Sequence, residues 1–276
     1  MNQCDFVKIT TMDSIFLAAI SRHCEYAFSE RTYRILTSLQ HSLENCTSMN
    51  ESVVLLSGSY ARMVPLDSSD VDLVVISSLN DNELASRMRT VGDTLGKTVF
   101  VNYLGFGDSE LSRATSLKFL TSLPFLRFIS GNRDLWDGYR LRVLSMIRSN
   151  PLSLLLELDR DIHRPWEAFD PSHPMYWNTK FGYGGILEFQ YMVLLHCVFI
   201  ELDIILRQLI DECLEAYRWV TFSRELACLS RHGSGQPLMS SEQIEEFLAE
   251  EQSRSHRLII ADSYRRTFRI CWDSIW

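Results

Sequence analysis

The sequence predicts an α+β fold: a small mixed sheet with flanking helices, followed by an α-helical domain. Three observations carry that expectation. Apolar runs of strand length, Val53–Leu56 and Leu73–Ile76, flank a short polar connection, and Lys97–Leu104 supplies a third. Helical apolar spacing fills Ser14–Leu43 and resumes beyond Leu111. From Ile186 onward almost every segment reads as helix, broken by the loop Arg231–Pro237.

Taken in order, Phe16, Leu17, Ile20, Phe28 and Ile35 predict one or two helices packed beside the sheet. Val53-Val54-Leu55-Leu56 reads as a buried strand that stops at Ser57-Gly58-Ser59, and a second strand opens with Asp70-Val71-Asp72. Asn80-Asp81-Asn82 offers N-cap chemistry for a helix ending near Leu95 and closed by Gly96. Leu111–Ile129 reads as a further helix ended by Gly131-Asn132, and Leu135–Ile147 resumes helical spacing. Between Arg160 and Gly185, Pro165, Pro171 and Pro174 oppose a long helix, while Trp166, Phe169, Tyr176 and Trp177 predict a loop pinned by aromatic packing. The expected division is residues 1–159 around the sheet, a linker over 160–185, and a helical domain over 186–276.

Composition bounds the function. With 46% apolar and 11% aromatic residues the chain can bury a substantial core, and 276 residues allow one large or two modest domains. A net charge of −8 opposes general nucleic-acid binding, which draws on Lys and Arg. Seven scattered cysteines without a CxxC pair fit a reducing compartment, so a cytoplasmic location is expected. No basic-then-apolar leader opens the chain. The greasiest segment, Ile186–Ile210, is interrupted by Glu188, Gln190, His196, Glu201 and Asp203, so no membrane span is expected.

Two stretches carry chemistry. Asp70 and Asp72 project from one face of a strand, with Val71 and Leu73 on the other. They lie about 6–7 Å apart along it, a natural clamp for divalent metal. Gly58 and Ser59, at the end of the neighbouring strand, offer backbone N–H groups to phosphate oxygens. Together these parts suit metal-assisted nucleotidyl transfer. Downstream, Lys180-Phe181-Gly182-Tyr183-Gly184-Gly185-Ile186-Leu187-Glu188 places glycines just before a helix N-terminus, where N–H groups and the helix dipole favour anions and Lys180 adds charge. A glycine-rich run also serves as a plain interdomain turn. Zinc-type Cys/His spacing, a Gly-x-Ser-x-Gly elbow and a Gly-x-x-x-x-Gly-Lys loop are all absent.

The first stretch resembles the DNA polymerase β-type nucleotidyltransferase superfamily, whose signature is an apolar strand, Gly-Gly or Gly-Ser, a gap, then acid-apolar-acid-apolar; here Gly58, Ser59, Asp70, Val71, Asp72 and Leu73. It is similar, more closely, to the bacterial enzymes that uridylylate the nitrogen-signalling protein or adenylylate glutamine synthetase. Gly58-Ser59-Tyr60-Ala61-Arg62 and Ser69-Asp70-Val71-Asp72 keep that branch's spacing. The same enzymes carry Lys-x-Gly-x-Gly-Gly-Ile/Leu-Arg-(Glu/Asp) where their helical domain opens, which Lys180, Gly182, Gly184, Gly185, Ile186 and Glu188 match, with Leu187 in place of Arg.

The resemblance implies transfer of a nucleoside monophosphate from ATP or UTP to an acceptor hydroxyl, most naturally on a protein. It implies Mg²⁺ or Mn²⁺ held by Asp70 and Asp72, with Gly58, Ser59, Arg62, Ser69, Lys180, Gly184 and Gly185 around the nucleotide. A small-molecule acceptor, as in antibiotic adenylyltransferases, is an alternative. The sequence also departs from the pattern. The family's third carboxylate, on a neighbouring strand, is replaced in Val99-Phe100-Val101-Asn102-Tyr103 by Asn102, which coordinates through a carbonyl oxygen but brings no charge and is no base. Asp108 and Glu110 lie near it in sequence, and Val64 stands where the turn usually has an acid. A catalytically degenerate relative acting as a nucleotide-binding or regulatory module is therefore the other expectation.

Overall fold

A computed structural model of the protein describes residues 28–43, 50–63, 65, 69–77, 86, 90, 92–94, 96–105, 116–166, 184–232 and 251–275, with backbone alone at 162–166, 222–232 and 251–254. Helix α1 covers residues 28–43 and buries Phe28, Ile35, Leu39 and Leu43 along one stripe. After it come β1 (Ser52–Leu56), the short helix α2 (Gly58–Ala61), β2 (Val71–Ser77) and β3 (Val99–Leu104). Helix α3 (Leu117–Ser122), a 3-10 turn at Leu123–Phe125 and β4 (Arg127–Gly131) follow. The rest is helical: α4 (Arg133–Ser149), α5 (Pro151–Trp166), α6 (Ile186–Val198), a 3-10 turn at Ile200–Leu202, α7 (Asp203–His232) and α8 (Glu251–Asp273).

The four strands form one mixed sheet in the order β3-β2-β1-β4. Strand β1 runs antiparallel to both β2 and β4, while β2 and β3 are parallel. A parallel pair needs a crossover, and residues 86, 90 and 92–94 within it are helical.

Alternation along the strands sorts the sheet into two buried faces. Val54, Leu56, Val71, Leu73, Val75 and Ile129 pack with Ile35, Leu39 and Leu43 of α1 and with Tyr60 and Ala61 of α2. Val53, Leu55, Val74, Ile76 and Leu104 face the other way, into a cluster that continues through Trp136, Val143, Leu155, Met192, Leu195, Leu206 and Tyr264. Because both faces are covered there, Val53–Leu56 in β1 and Leu73–Ile76 in β2 read as unbroken apolar runs. Each such side chain contributes about 1.5–3 kcal/mol on burial. The inner face of the sheet and the helices α4 to α8 thus share one continuous core.

One expected helix is corrected. Leu111–Ile129 was expected to be helical throughout, but α3 ends at Ser122, Pro124 sits in the 3-10 turn, and Arg127–Gly131 is strand β4 on the open edge of β1. Pro124 cannot donate to a helical ladder, and β1 offers an unpaired edge that a residue run can satisfy only from far along the chain. Gly131 adopts φ 109, and a Cβ there would stand 2.1 Å from the Ser52 carbonyl oxygen, so the close strand approach requires glycine. Asn132 then caps α4, its side-chain oxygen accepting from Leu135 N–H at 3.2 Å.

Helix α5 also runs past Arg160, where the break was expected, because Pro165 falls only in its last turn. Lys180, Asp108 and Glu110, together with most of the expected linker and of the helix beginning at Asn80, lie outside the described residues. Helix α6 begins at Ile186 as expected, with Gly185 as N-cap. Cys197, Cys213 and Cys271 are free thiols, and burial pushes Cys213 and Cys271 up to about 12, so both act as small core hydrophobes. Among the described residues no helix is long and apolar enough to cross a membrane.

Candidate active site

At the end of the sheet where β1 stops, Ser57 N–H donates to the Asp72 carbonyl at 2.8 Å and closes the ladder. The chain then turns through Gly58 at φ 66, and a Cβ there would meet Asp72 Oδ2 at 2.1 Å and Cγ at 2.9 Å. Glycine is thus demanded twice, by the backbone conformation and by the carboxylate it lies against. Asp72 is half-buried, whereas Asp70 is exposed and stands just ahead of β2. Ser59, in α2, and Ser69 are half-buried.

Strand β3 runs beside this end. Its register sets Phe100 opposite Asp72 and Asn102 opposite Val74, so both share the Asp72 face. Both are exposed, Phe100 by 55%. Asn102 therefore occupies the next same-face position along the neighbouring strand, about 6–7 Å of rise beyond Asp72. Among the described residues, no group of three or more His, Cys, Asp or Glu side chains gathers to hold a metal. Asp70 and Asp72 are the carboxylates at this end of the sheet, and Mg²⁺ typically takes one or two carboxylates and completes its shell with water and substrate phosphates.

The glycine-rich element is built differently. Gly184 has φ 64, and a Cβ there would come within 1.9 Å of the Arg257 carbonyl oxygen, so the turn lies on the backbone of α8. Its N–H donates to Glu188 Oε2 at 3.2 Å. Gly184 and Gly185 are both buried. Burial raises Glu188 to about 7 against the opposing pull of the Gly184 N–H and of Arg257 and Arg265. Tyr264, on α8, is raised by burial and then by Glu188.

That shift has a sign. The unfolded carboxyl ionises near 4.5 and the folded one near 7, so between those values the folded state holds the extra proton. Stability is fully present below the unfolded value and falls as pH rises through the folded one, by up to about 3 kcal/mol. Glu188→Gln keeps an acceptor for the Gly184 N–H and removes the titration. Its melting temperature should exceed that of the parent at pH 8 and match it more closely at pH 5. A parallel pair of melting-temperature profiles across that range would rule the effect out.

The structure also joins the glycine turn to helix α6, through Arg62, which the sequence had singled out, and through Gln190, which it had not; Arg127 is a second residue the sequence did not place here. Arg62 ends α2, its backbone N–H on Gly58 O at 3.4 Å. With the Gln190 amide oriented to suit its neighbours, the carbonyl oxygen accepts from Arg62 Nε at 2.8 Å and Nη1 at 3.1 Å. Arg127, at the start of β4, donates from Nε to Ala61 O at 2.6 Å. Arg127 lay inside an expected helix and so gave no signal. Gln190 was visible as a polar interruption of an apolar segment, and a buried amide in such a place needs a partner.

No family model matches the chain, and no curated protein does. Among solved structures, the chain is similar to a toxin–antitoxin crystallised with AMP-PNP, at 15% identity and a TM-score of 0.34, over 45% of this chain and 96% of that one. It is also similar to a tri-AMPylated Shewanella oneidensis HEPN toxin in complex with MNT antitoxin, at 14% identity and a TM-score of 0.30, over 48% of this chain and 97% of that one.

Proposed function

We propose that the chain is a nucleotidyltransferase, moving a nucleoside monophosphate from ATP or UTP to an acceptor hydroxyl on a protein, in the cytoplasm, with Mg²⁺ or Mn²⁺ as cofactor. The observation that carries this reading is the apposition of Gly58 and Asp72: a glycine turn suited to phosphate oxygens lies directly against the carboxylate of the acid-apolar-acid strand. Mg²⁺ held by Asp70 and Asp72 would supply the positive charge that a triphosphate requires there.

The chain's own groups have separate tasks in this reading. Gly58 and Ser59 present N–H groups to the β- and γ-phosphates, Arg62 and Lys180 offset their charge, and Ser69 and the Gly184-Gly185 turn border the nucleotide. The acceptor oxygen attacks the α-phosphorus and forms the new P–O bond. The bond from that phosphorus to the bridging oxygen breaks, pyrophosphate leaves with the electron pair, and the hydroxyl proton passes to water. Incubation with α-labelled ATP or UTP, Mg²⁺ and host lysate should label a protein band. Label on a small molecule would replace the acceptor class, and no label on anything would sink transfer altogether.

Asn102 favours a second reading, a degenerate transferase that binds nucleotide without turning it over. Its position on the Asp72 face, exposed and uncharged, suits a missing third carboxylate. Asn102→Asp should then raise label transfer by an order of magnitude or more, since one anionic metal ligand is worth several kcal/mol and about 1.4 kcal/mol is tenfold in rate. A variant that binds ATP and Mg²⁺ yet transfers no faster than the parent removes Asn102 from the chemistry.

A further inference from the structure

Gln190 is 6% exposed, on a helix whose neighbouring side chains Phe189, Tyr191 and Met192 are buried and apolar or aromatic. Its carbonyl oxygen holds two N–H groups of one guanidinium, at 2.8 and 3.1 Å, which fixes the plane of Arg62 and the direction of its remaining N–H groups. The backbone beneath that side chain is held as well, by Arg127 Nε on Ala61 O at 2.6 Å and by the Arg62 N–H on Gly58 O at 3.4 Å. Helix α6 in turn starts one residue after Gly185, beside the Gly184 turn that lies on α8. A chain of contacts therefore runs from α8 through Gly184 and α6 to Gln190, and across to Arg62 at the glycine turn.

We propose that Gln190 is a positioning residue for triphosphate binding: it orients Arg62 from the helical side, so that phosphate affinity at the Gly58–Ser59 turn depends on the seating of α6. This rests on the nucleotidyltransferase reading. A phosphate-directed guanidinium loses affinity when it is free to swing, because its orientation must then be restored on binding.

The test is titration of the full chain with ATP and adenosine, and with UTP and uridine, in Mg²⁺, for the parent, Gln190→Leu, Arg62→Ala and the double variant. Gln190→Leu should weaken triphosphate binding about tenfold or more, as loss of a hydrogen bond to a charged group commonly does, and leave nucleoside affinity unchanged. In the Arg62→Ala background the same substitution should add nothing, because the group it positions is gone. If Gln190→Leu does not fold, Gln190→Met, closer in shape, takes its place. Equal loss of triphosphate and nucleoside, or an undiminished effect without Arg62, would make Gln190 a packing residue only. Loss of triphosphate in Arg62→Ala but not in the Gln190 variant overturns the positioning role and leaves the broader reading standing. A parent chain that takes up no triphosphate overturns both.

Discussion

Asp70→Asn combined with Asp72→Asn should abolish nucleotidyl transfer and the Mg²⁺-dependent thermal stabilisation by ATP or UTP, while the ligand-free chain keeps its fold. The substitution removes two negative charges and almost no volume, so the close approach of Gly58 to the side chain at 72 survives. Asp70 is exposed and Asp72 half-buried at the edge of the core, so neither change opens a cavity. A ligand at a hundred times its dissociation constant stabilises the native state by about 2.7 kcal/mol. For a domain of this size that corresponds to a shift of roughly 5–10 °C. The parent should show that shift only with both metal and triphosphate, and the double variant should show none. Thermal melts with and without EDTA read it directly. An undiminished shift in the double variant would move the metal to another part of the chain.

Gly184→Val should destabilise the fold more than any of the other single substitutions. At φ 64 any β-branched residue is strained, and its Cβ would stand 1.9 Å from a backbone oxygen and 2.4 Å from a backbone carbon of Arg257. Backbone within a helix cannot swing aside as a side-chain tip can, so α6 and α8 must part. The left-handed conformation costs about 1–2 kcal/mol and overpacking about 1–3 kcal/mol more. A melting temperature lowered by about 5 °C or more is expected. Gly138→Ala is the contrasting control: it lies within α4 with nothing inside 4 Å of its Cβ, and should stabilise by about 0.5–1 kcal/mol. Residual folded Gly184→Val at low temperature separates two roles for the turn. Retained triphosphate affinity assigns Gly184 to packing on α8, whereas selective loss of triphosphate relative to nucleoside assigns it to the nucleotide. A Gly184→Val chain as stable as the parent would contradict the packing itself.

Much of this protein was determined by local sequence. The apolar runs of β1 and β2, the glycine at their shared end, the acid-apolar-acid opening and the helical spacing from Ile186 onward are all short-range patterns. Backbone sterics and side-chain alternation act within a few residues, so such patterns can be read without knowing what lies opposite. The glycines at 58 and 184 were equally visible, because positive φ leaves few substitutes. The reason for each glycine was not visible: Gly58 makes room for Asp72, and Gly184 makes room for a helix that begins far downstream. Strand β4 was hidden because Arg127–Gly131 becomes a strand only through the open edge of β1, and pairing across such a separation leaves no local period. The bonds from Arg127 to Ala61 and from Arg62 to Gln190 exist for the same reason. Only closure of the shared core brings those groups within hydrogen-bonding reach, and the burial that drives closure is non-directional, so the partners it creates are written in no single stretch of the chain.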